Sequence, residues 1–435
     1  MNFLDKYFKI SERGSNLRNE IIGGIVTFIA SAYIIIVNPA ILEAGGIPKA
    51  PAVTATILTA FIGTFLMGIY ANRPFMIAPY MGENAFIAYT VCKTLGYSWQ
   101  TALGAVFIGG VLFTLLTLLR LRSWLANSIP NSLKYAFSAG LGLFLCFIGL
   151  NEAGLINLGT ESAPVKLGNL HSPQVLIAIF CLLIISFFIA KRIKGAILLG
   201  ILTSFLLGVL FRVIEFPLQI VSLPPSLKPL FLKLDIIGAL KWGFFSVILT
   251  LFIMDFVDTI GTLIGVGAIA GMLDNKGNFP DIEKPMLCDA LSTCIGAVLG
   301  VTTSGTFIES AAGVKEGART GLASIITSIL FLLALFFSPI LTVIPSYCYG
   351  PALVIVGILM TKAFKDINFK DPTEFIPAIL VIIFMCFTYN IGVGVTAGFI
   401  IYVLIKLLTK RFEDLNLGML LLAGLSLLFF IFYPY

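Results

Sequence analysis

The fold of this chain is decided by two stretches, Ile77-Ala-Pro-Tyr-Met-Gly82-Glu83-Asn84-Ala-Phe86 and Val301-Thr-Thr-Ser-Gly-Thr306-Phe307-Ile-Glu309. Each stretch interrupts an apolar run: prolines and Gly82 interrupt the first, and small hydroxylated residues with a glycine interrupt the second. The apolar residues after each break are too few to cross about 30 Å of hydrocarbon as one helix. We therefore expect an extended stretch and then a half-helix, beginning near residues 82–84 and near residues 306–309.

The composition indicates the environment in which this chain folds. Of its 435 residues 58% are hydrophobic and only 11% are charged, and the mean hydropathy is +1.03. Such a chain has too little polar surface to cover a soluble core, so it is expected to be a multi-pass protein of a lipid bilayer. The net charge of +6 is scattered singly, which does not favour a nucleic-acid partner. The seven cysteines are odd in number and show no C-x-x-C spacing, so neither a disulfide nor a thiolate metal site is expected. No cofactor is expected either.

Apolar runs divide the chain into two sets of seven segments. The predicted segments are 21–42, 51–71, 74–95, 100–119, 133–150, 174–190 and 195–211, and then 238–272, 286–300, 301–314, 321–341, 349–361, 375–389 and 392–408. Residues 1–20 are interpreted as an amphipathic N-terminus on the cytoplasmic side, retained and not a signal peptide. The apolar stretch 415–433 is left over, and the sequence does not decide whether it crosses the membrane.

Basic residues indicate the orientation of the segments. Loops such as 191–194 and 362–370 carry several lysines, and no basic residue lies between Leu341 and Tyr349. This asymmetry places the N-terminus in the cytoplasm and favours fourteen crossings of the plasma (inner) membrane. Because seven is odd, the second set enters from the opposite side, so the predicted all-α integral membrane fold is a 7+7 inverted repeat.

The third segment of each half is the interrupted one, which supports this repeat. Ile-Pro pairs also precede the fifth and the twelfth segments, at 129–130 and 344–345. Paired interruptions at corresponding positions are typical of a transporter whose binding site lies at the bilayer midplane. The free backbone N–H groups of the two half-helix ends would frame one polar cavity.

Three acids in apolar runs mark the candidate site. Asp255 and Asp258 lie near the middle of the eighth segment, and helical spacing places Thr259 and Thr262 on the same face. Acids at this depth are costly and usually face a cavity. The alternative for Asp258 is that it caps a helix after a break. A pair in which one acid shares a proton or binds a threonine is also open for Asp255.

Glu309, Glu83 and Asn84 lie next to the two breaks. Thr306-Phe-Ile-Glu309 fits a capping box, so Glu309 either satisfies the Thr306 N–H or accepts a ligand, and its apolar surroundings favour the ligand. For Asn84 the balance favours ligand contact, and for Glu83 it favours a local cap or a loop. A buried carboxylate also accepts N–H groups strongly.

Several motifs resemble those of the AzgA-like branch of the nucleobase permeases, within the nucleobase-cation symporters. They are Arg18-Asn-Glu-Ile-Ile-Gly-Gly, Met81-Gly-Glu-Asn-Ala-Phe86, Phe256-Val-Asp-Thr-Ile-Gly-Thr-Leu263, and Thr306-Phe-Ile-Glu-Ser-Ala-Ala-Gly313 followed by Arg319-Thr-Gly321. The resemblance implies a core domain of residues 21–119 and 238–341 and a gate domain of residues 133–214 and 349–408, with 415–435 as a C-terminal segment. It also implies proton-coupled uptake of hypoxanthine, guanine and adenine by alternating access.

The same resemblance assigns residue roles. Glu309 would bind ring N–H groups of the base, and Asp258 matches the acid of the eighth segment. Asp255, Gly82 and Asn84 match positions implicated in binding or in its geometry, while Phe86 and Phe307 would stack on the base. Substrate binding is thus expected at Glu309, Asp258, Asn84, Gly82, Phe86, Phe307, Thr306 and Thr262, and proton coupling at Glu309, Asp258 and Asp255.

Two departures and several alternatives accompany this prediction. Thr262 stands where the uracil and xanthine branches tend to carry histidine, and Glu83 stands where an apolar residue is more usual. Transport of xanthine, uracil or an anion on the same fold is the alternative substrate class. A membrane enzyme holding magnesium at Asp255 and Asp258 would need a second acidic motif, which the sequence lacks. The expected partners are a purine base, a proton and the lipid bilayer, and a homodimer is left open.

Overall fold

The structure is a computed structural model that describes residues 3–121, 124, 128–160, 163–217, 219–241, 245–274 and 279–431. Within these ranges, nine helices are long and apolar enough to cross a membrane, and shorter apolar helices accompany them. Two of these shorter helices (Ala196–Leu210 and Pro372–Phe387), helix Glu283–Leu299 and the two half-helices complete the fourteen segments that the sequence predicts. The 7+7 fold is therefore confirmed.

The segments of the first half are helices with breaks at defined points. Segment 1 (Leu17–Ala44) consists of helices Leu17–Ser31 and Ile34–Ala44, and segment 3 is a half-helix made of an α-helix (Met81–Ala85) and a π-helix (Phe86–Thr94). The others are Lys49–Ala71, Trp99–Leu118, Asn131–Glu152, Pro173–Ala190 and Ala196–Leu210. We call the membrane face where segment 1 begins the N-terminal face.

The segments of the second half have the same order. They are Phe245–Ile269, Glu283–Leu299, Ser310–Lys315, Gly321–Val343, Ser346–Asp366, Pro372–Phe387 and Ile391–Leu408. Segment 8 was predicted from residue 238, but a separate turn (Ile236–Ala239) precedes it because the Asp235 side chain accepts the Gly238 N–H at 2.9 Å. Residues 242–244 of that prediction lie outside the described residues.

Side-chain caps explain where several segments begin. Each capping oxygen accepts a backbone N–H from the first turn, which supplies a partner that the helix itself cannot provide. The capping residues are Asn16, Ser98, Ser172, Thr320, Asp371 and Asn390.

The two interruptions meet as a pair of antiparallel strands. Strand β1 (Ile77–Pro79) pairs with strand β4 (Ser304–Thr306), and Ala78 lies opposite Gly305. A further hairpin, β2 (Ile156–Thr160) with β3 (Ala163–Leu167), joins segments 5 and 6 and was not predicted. Both half-helices start just after β1 and β4, so the expected order of extended stretch and half-helix is confirmed.

The two halves hold their strands in the same way. The Thr64 hydroxyl binds the N–H and the C=O of Ile77, each at 3.0 Å, and the Thr293 hydroxyl binds the N–H and the C=O of Ser304 at 3.0 and 2.9 Å. Thr64 lies in segment 2 and Thr293 in segment 9, which are corresponding segments of the repeat. The repeat is thus visible in individual hydrogen bonds.

Close helix contacts depend on glycine. A Cβ on Gly321 would lie 2.0 Å from the carbonyl oxygen of Gly68, so segments 2 and 11 can approach only without side chains there. Such contacts between small residues are typical of packing in membranes. Segment 5 packs on segments 12 and 13, and segment 4 packs on segments 8 and 9.

The described residues near both ends of the chain pack on the bundle. The N-terminal part has a short helix (Phe3–Phe8), and Phe8 and Ile10 are buried against Leu322 of segment 11. A final helix (Leu417–Ile431) packs against segments 14 and 8. Residues 1, 2 and 432–435 of the two predicted terminal regions lie outside the described residues.

Candidate functional site

A cavity of about 780 Å³ lies where the two half-helices meet segment 8. Its volume falls within the roughly 300–1,000 Å³ that is usual for small-molecule sites. Six of the eight predicted binding residues line it: Gly82, Asp258, Thr262, Thr306, Phe307 and Glu309. The two interruptions, which are far apart in sequence, therefore contribute to one space.

Glu309 directly precedes the half-helix Ser310–Lys315 and contributes its carboxylate to the cavity wall. The buried Tyr33 of segment 1 donates its hydroxyl to Glu309 Oε1 at 2.5 Å. The capping-box alternative is wrong, because the Thr306 N–H binds Asp289 Oδ2 at 3.2 Å instead of Glu309. The Glu309 side chain also makes no capping bond to its own half-helix.

Asp258 lies within an unbroken helix, so the alternative that it caps a helix after a break is also wrong. Asp258 and Thr262 line the cavity, one helical turn apart. Asp255 is buried and accepts the Thr259 hydroxyl at 3.2 Å. The structure therefore divides the predicted face: Asp258 and Thr262 border the cavity, and Asp255 and Thr259 pack behind it.

The structure places Glu83 and Asn84 differently from the sequence interpretation. Glu83, which was expected to cap or to face a loop, is completely buried and lines the cavity. Asn84 is also completely buried, but its amide donates to Asn38 Oδ1, and Asn38 in turn donates to Thr56 Oγ1 at 2.8 Å. Asn84 thus ties the start of the half-helix to segments 1 and 2.

Aromatic side chains form part of the cavity wall. The rings of Tyr80 and Phe307 stack with centroids 6.0 Å apart and planes 5° apart, and both residues line the cavity. The Tyr80 hydroxyl donates to the Thr306 carbonyl at 3.1 Å, which joins the two interruptions. Phe86 is buried, and it is not among the described residues that line the cavity.

Sequence reasoning missed Asp289, Tyr33 and Tyr80. Asp289 of segment 9 is buried and also accepts the Thr306 hydroxyl at 3.0 Å, so that hydroxyl is directed away from a ligand. An acid within the apolar run 286–300 was the signal that could have identified Asp289. Tyr80 directly precedes the first half-helix, but nothing local distinguishes Tyr33 from the other aromatic residues.

The cavity extends toward the N-terminal face. Its lining there includes Asn131 and Lys134 at the start of segment 5 and Lys362 at the end of segment 12. On the opposite face, the Tyr89 hydroxyl donates to Glu152 Oε1 at 2.7 Å and the Thr90 hydroxyl donates to the Tyr389 carbonyl at 3.0 Å. These bonds join segment 3 to segment 5 and to the end of segment 13.

A 7+7 fold with half-helices meeting at one cavity defines a multi-pass membrane permease. Residues 18–399 match the Permease family, and the chain belongs to this family. It is 44% identical to the putative permease MJ0326 of Methanocaldococcus jannaschii over 99% of both chains. It is also 39% identical to the guanine/hypoxanthine permease PbuG of Bacillus subtilis (98% of this chain, 99% of PbuG) and 37% identical to the adenine permease AdeQ of Escherichia coli (97% and 95%). The resemblance based on the motifs is therefore confirmed.

Solved structures support the fold alone. The transmembrane domain of a cyanobacterium bicarbonate transporter, BicA, superimposes with a TM-score of 0.62 at 16% identity, covering 88% of this chain and 97% of that one. SLC26A9 superimposes with a TM-score of 0.69 at 12% identity, covering 94% of this chain and 67% of that one. At these identities the likeness carries no argument about the substrate.

Proposed function

We propose that this permease takes up purine nucleobases together with protons across the cell membrane, with its N-terminus in the cytoplasm. The observation that carries the proposal is the cavity between the half-helices, which contains the carboxylates of Glu309 and Asp258 beside a pair of aromatic rings. Relatives named as adenine and guanine/hypoxanthine permeases cover nearly the whole chain, which supports purines as the substrate class.

The base would be held by its edge and by its ring face. A purine presents N–H donors along one edge, and the Glu309 carboxylate is fixed by Tyr33 in a position to accept them. Phe307 and Tyr80 offer apolar ring surface to the purine. Gly82 leaves room for the Leu141 side chain in the cavity wall, because a Cβ at position 82 would lie 2.6 Å from it.

The remaining predicted residues would support this arrangement. Asp258 and Thr262 border the cavity opposite the half-helices and would bind the polar atoms that Glu309 does not reach. Thr306, with its hydroxyl bound to Asp289, would hold the start of the second half-helix. Asn84 and Phe86 would position the first half-helix from behind, and Asp255 would position segment 8 through Thr259.

Protons would enter the cycle through the carboxyl groups of the cavity. An acid held in a low-dielectric space binds a proton when the site faces the more acidic side and releases it to the other side. Glu309 and Asp258 border the cavity and Asp255 lies one turn from Asp258, so all three remain our candidates for coupling.

Transport would proceed by alternating access. We assign segments 1–4 and 8–11 to a core domain and segments 5–7 and 12–14 to a gate domain, and the cavity lies between residues of the two groups. The packing of segment 5 on segments 12 and 13 supports the gate as a unit. With the cavity extending toward the N-terminal face, this conformation would be the one that faces the cytoplasm.

Uptake into proteoliposomes tests this function. Labelled hypoxanthine should accumulate under an inwardly directed proton gradient, a protonophore should abolish accumulation, and unlabelled adenine or guanine should compete. Glu309→Gln should abolish accumulation, whereas Glu316→Gln, in a partly exposed ion pair with Lys194, should leave it unchanged. Competition only by xanthine, uracil or small anions would reject purines as the substrates. Uptake by the Glu309 variant with unchanged pH dependence would reject the role of Glu309.

A further inference from the structure

Glu83 is an acid in the cavity wall that has no role in the proposed transport cycle. It lies in the first turn of the half-helix that begins at Met81, and its side chain is completely buried. Among the described residues, no N–H or hydroxyl group donates a hydrogen bond to either of its carboxyl oxygens. An ionised carboxylate in this position would lack the donors that normally compensate its burial.

Asp258 is the group that Glu83 faces. The two side chains lie within hydrogen-bonding reach of each other across the cavity wall, from segments 3 and 8. Two ionised carboxylates have no hydrogen to share and repel each other, whereas one carboxylic acid donates a short, strong bond to one carboxylate. The contact is favourable only when one of the two groups carries a proton.

The surrounding charged groups do not neutralise Glu83 or Asp258. Among the described residues, neither acid forms an ion pair with a lysine or an arginine. Segments 1, 5 and 8 pack against the start of this half-helix. These elements and the rest of the cavity present the titratable groups Tyr33, Tyr80, Lys134, Tyr135, Asp255, Glu309 and Lys362, and both lysines lie toward the N-terminal face.

We propose that Glu83 and Asp258 share a single proton and form a protonation site separate from Glu309. This inference rests on the proposed function in that the shared proton belongs to the same transport site. The O–H of one carboxyl group donates to the carboxylate of the other, so the pair carries one negative charge instead of two. Loss of the shared proton leaves two carboxylates that repel each other. This repulsion favours a state of the cavity in which water or a proton can reach the pair.

Infrared difference spectroscopy on the purified protein without substrate tests the pair directly. A protonated carboxyl group gives a C=O band that shifts in deuterated water. In the wild type at neutral pH, one component of this band should come from the carboxyl group that carries the shared proton. Glu83→Gln should remove that component. The variant should still fold, because the glutamine amide donates permanently to Asp258. Asp258→Asn, whose amide donates to the Glu83 carboxylate in place of the shared proton, should also remove it.

Glu20→Gln provides a matched control. Glu20 is equally buried, but its two carboxyl oxygens accept the N–H groups of Arg319 at 2.8 Å and Thr320 at 3.3 Å, so it has the donors that Glu83 lacks. Its substitution should leave the protonated band unchanged. Glu309→Gln should likewise leave the component that depends on Glu83.

The outcomes separate this inference from the proposed function. A band that depends on both Glu83 and Asp258 supports the pair even if the protein transports no purine. Purine uptake together with identical spectra for wild type and Glu83→Gln overturns the pair and leaves the proposed function standing. Loss of the wild-type band on addition of Na⁺, together with Na⁺ binding that Glu83→Gln abolishes, assigns the pair to a metal cation and also overturns the proposal.

Discussion

Substitution of Glu152 should release the contacts that close the face opposite to the N-terminal face. Glu152 ends segment 5, accepts the Tyr89 hydroxyl at 2.7 Å and lies 3.5 Å from the Tyr349 hydroxyl. Tyr89 belongs to the half-helix of segment 3, which we assign to the core, and Glu152 to the gate. If the two domains separate on this face during transport, the bond between Tyr89 and Glu152 exists in only one of the two states.

The distances give the size of the effect. A hydrogen bond to a charged group contributes about 1.5–3 kcal/mol, and the contact at 3.5 Å adds little. Tyr89→Phe removes the whole bond and should increase the population of the open state roughly 10- to 150-fold. Glu152→Gln keeps a neutral acceptor, loses about 1–1.5 kcal/mol and should increase it roughly 5- to 10-fold. The double variant should show less than the sum of the two effects, because both remove the same bond.

Hydrogen exchange in lipid nanodiscs measures this shift. Peptides from residues 86–94 and 387–390 should exchange faster in both variants. The increase for each variant should match the increase in its open-state population, because exchange follows that population. Glu43→Gln is the control. Glu43 is half exposed, and its ion pair with Lys49 is weak because the two charged groups lie 3.7 Å apart. Unchanged exchange in Tyr89→Phe would show that this bond does not hold the face closed.

Three further substitutions test separate contacts. Tyr33→Phe keeps the buried ring but loses the 2.5 Å bond to Glu309, so the dissociation constant of the base should rise roughly tenfold or more in calorimetry. Gly321→Ala places a methyl group against the Gly68 backbone and should cost about 1–3 kcal/mol, seen as a lower melting temperature in detergent. Lys406→Met leaves two acids without their buried partner and should cost about 1–3 kcal/mol by the same measurement.

Matched controls accompany these three variants. Tyr135→Phe, also in the cavity wall, should leave base affinity unchanged. Gly109→Ala, where a Cβ meets nothing within 4 Å, should be neutral or stabilising by up to about 1 kcal/mol. Lys194→Met, in a partly exposed pair with Glu316, should cost less than about 1 kcal/mol. Equal effects in a variant and its control would refute the contact assigned to that variant.

Much of the fold is determined by local properties of the sequence. The length of an apolar run decides whether it crosses a bilayer, and the prolines and glycines near Pro79 and Gly305 decide where a run breaks. The sequence alone therefore predicted fourteen segments, two half-helices and their starting points within a few residues. It also predicted Asp258 and Glu309 as candidate site residues, because an acid within an apolar run is conspicuous without any knowledge of its neighbours, and both line the cavity.

Tertiary structure alone decided the partners and directions of the site residues. Consecutive residues on a helix point about 100° apart, so one step determines that Glu83 borders the cavity while Asn84 binds Asn38. That rotation is set by packing against other segments and leaves no mark on the local pattern. The same holds for Tyr33 beside Glu309, because contacts between residues so distant in sequence exist only once the bundle has assembled.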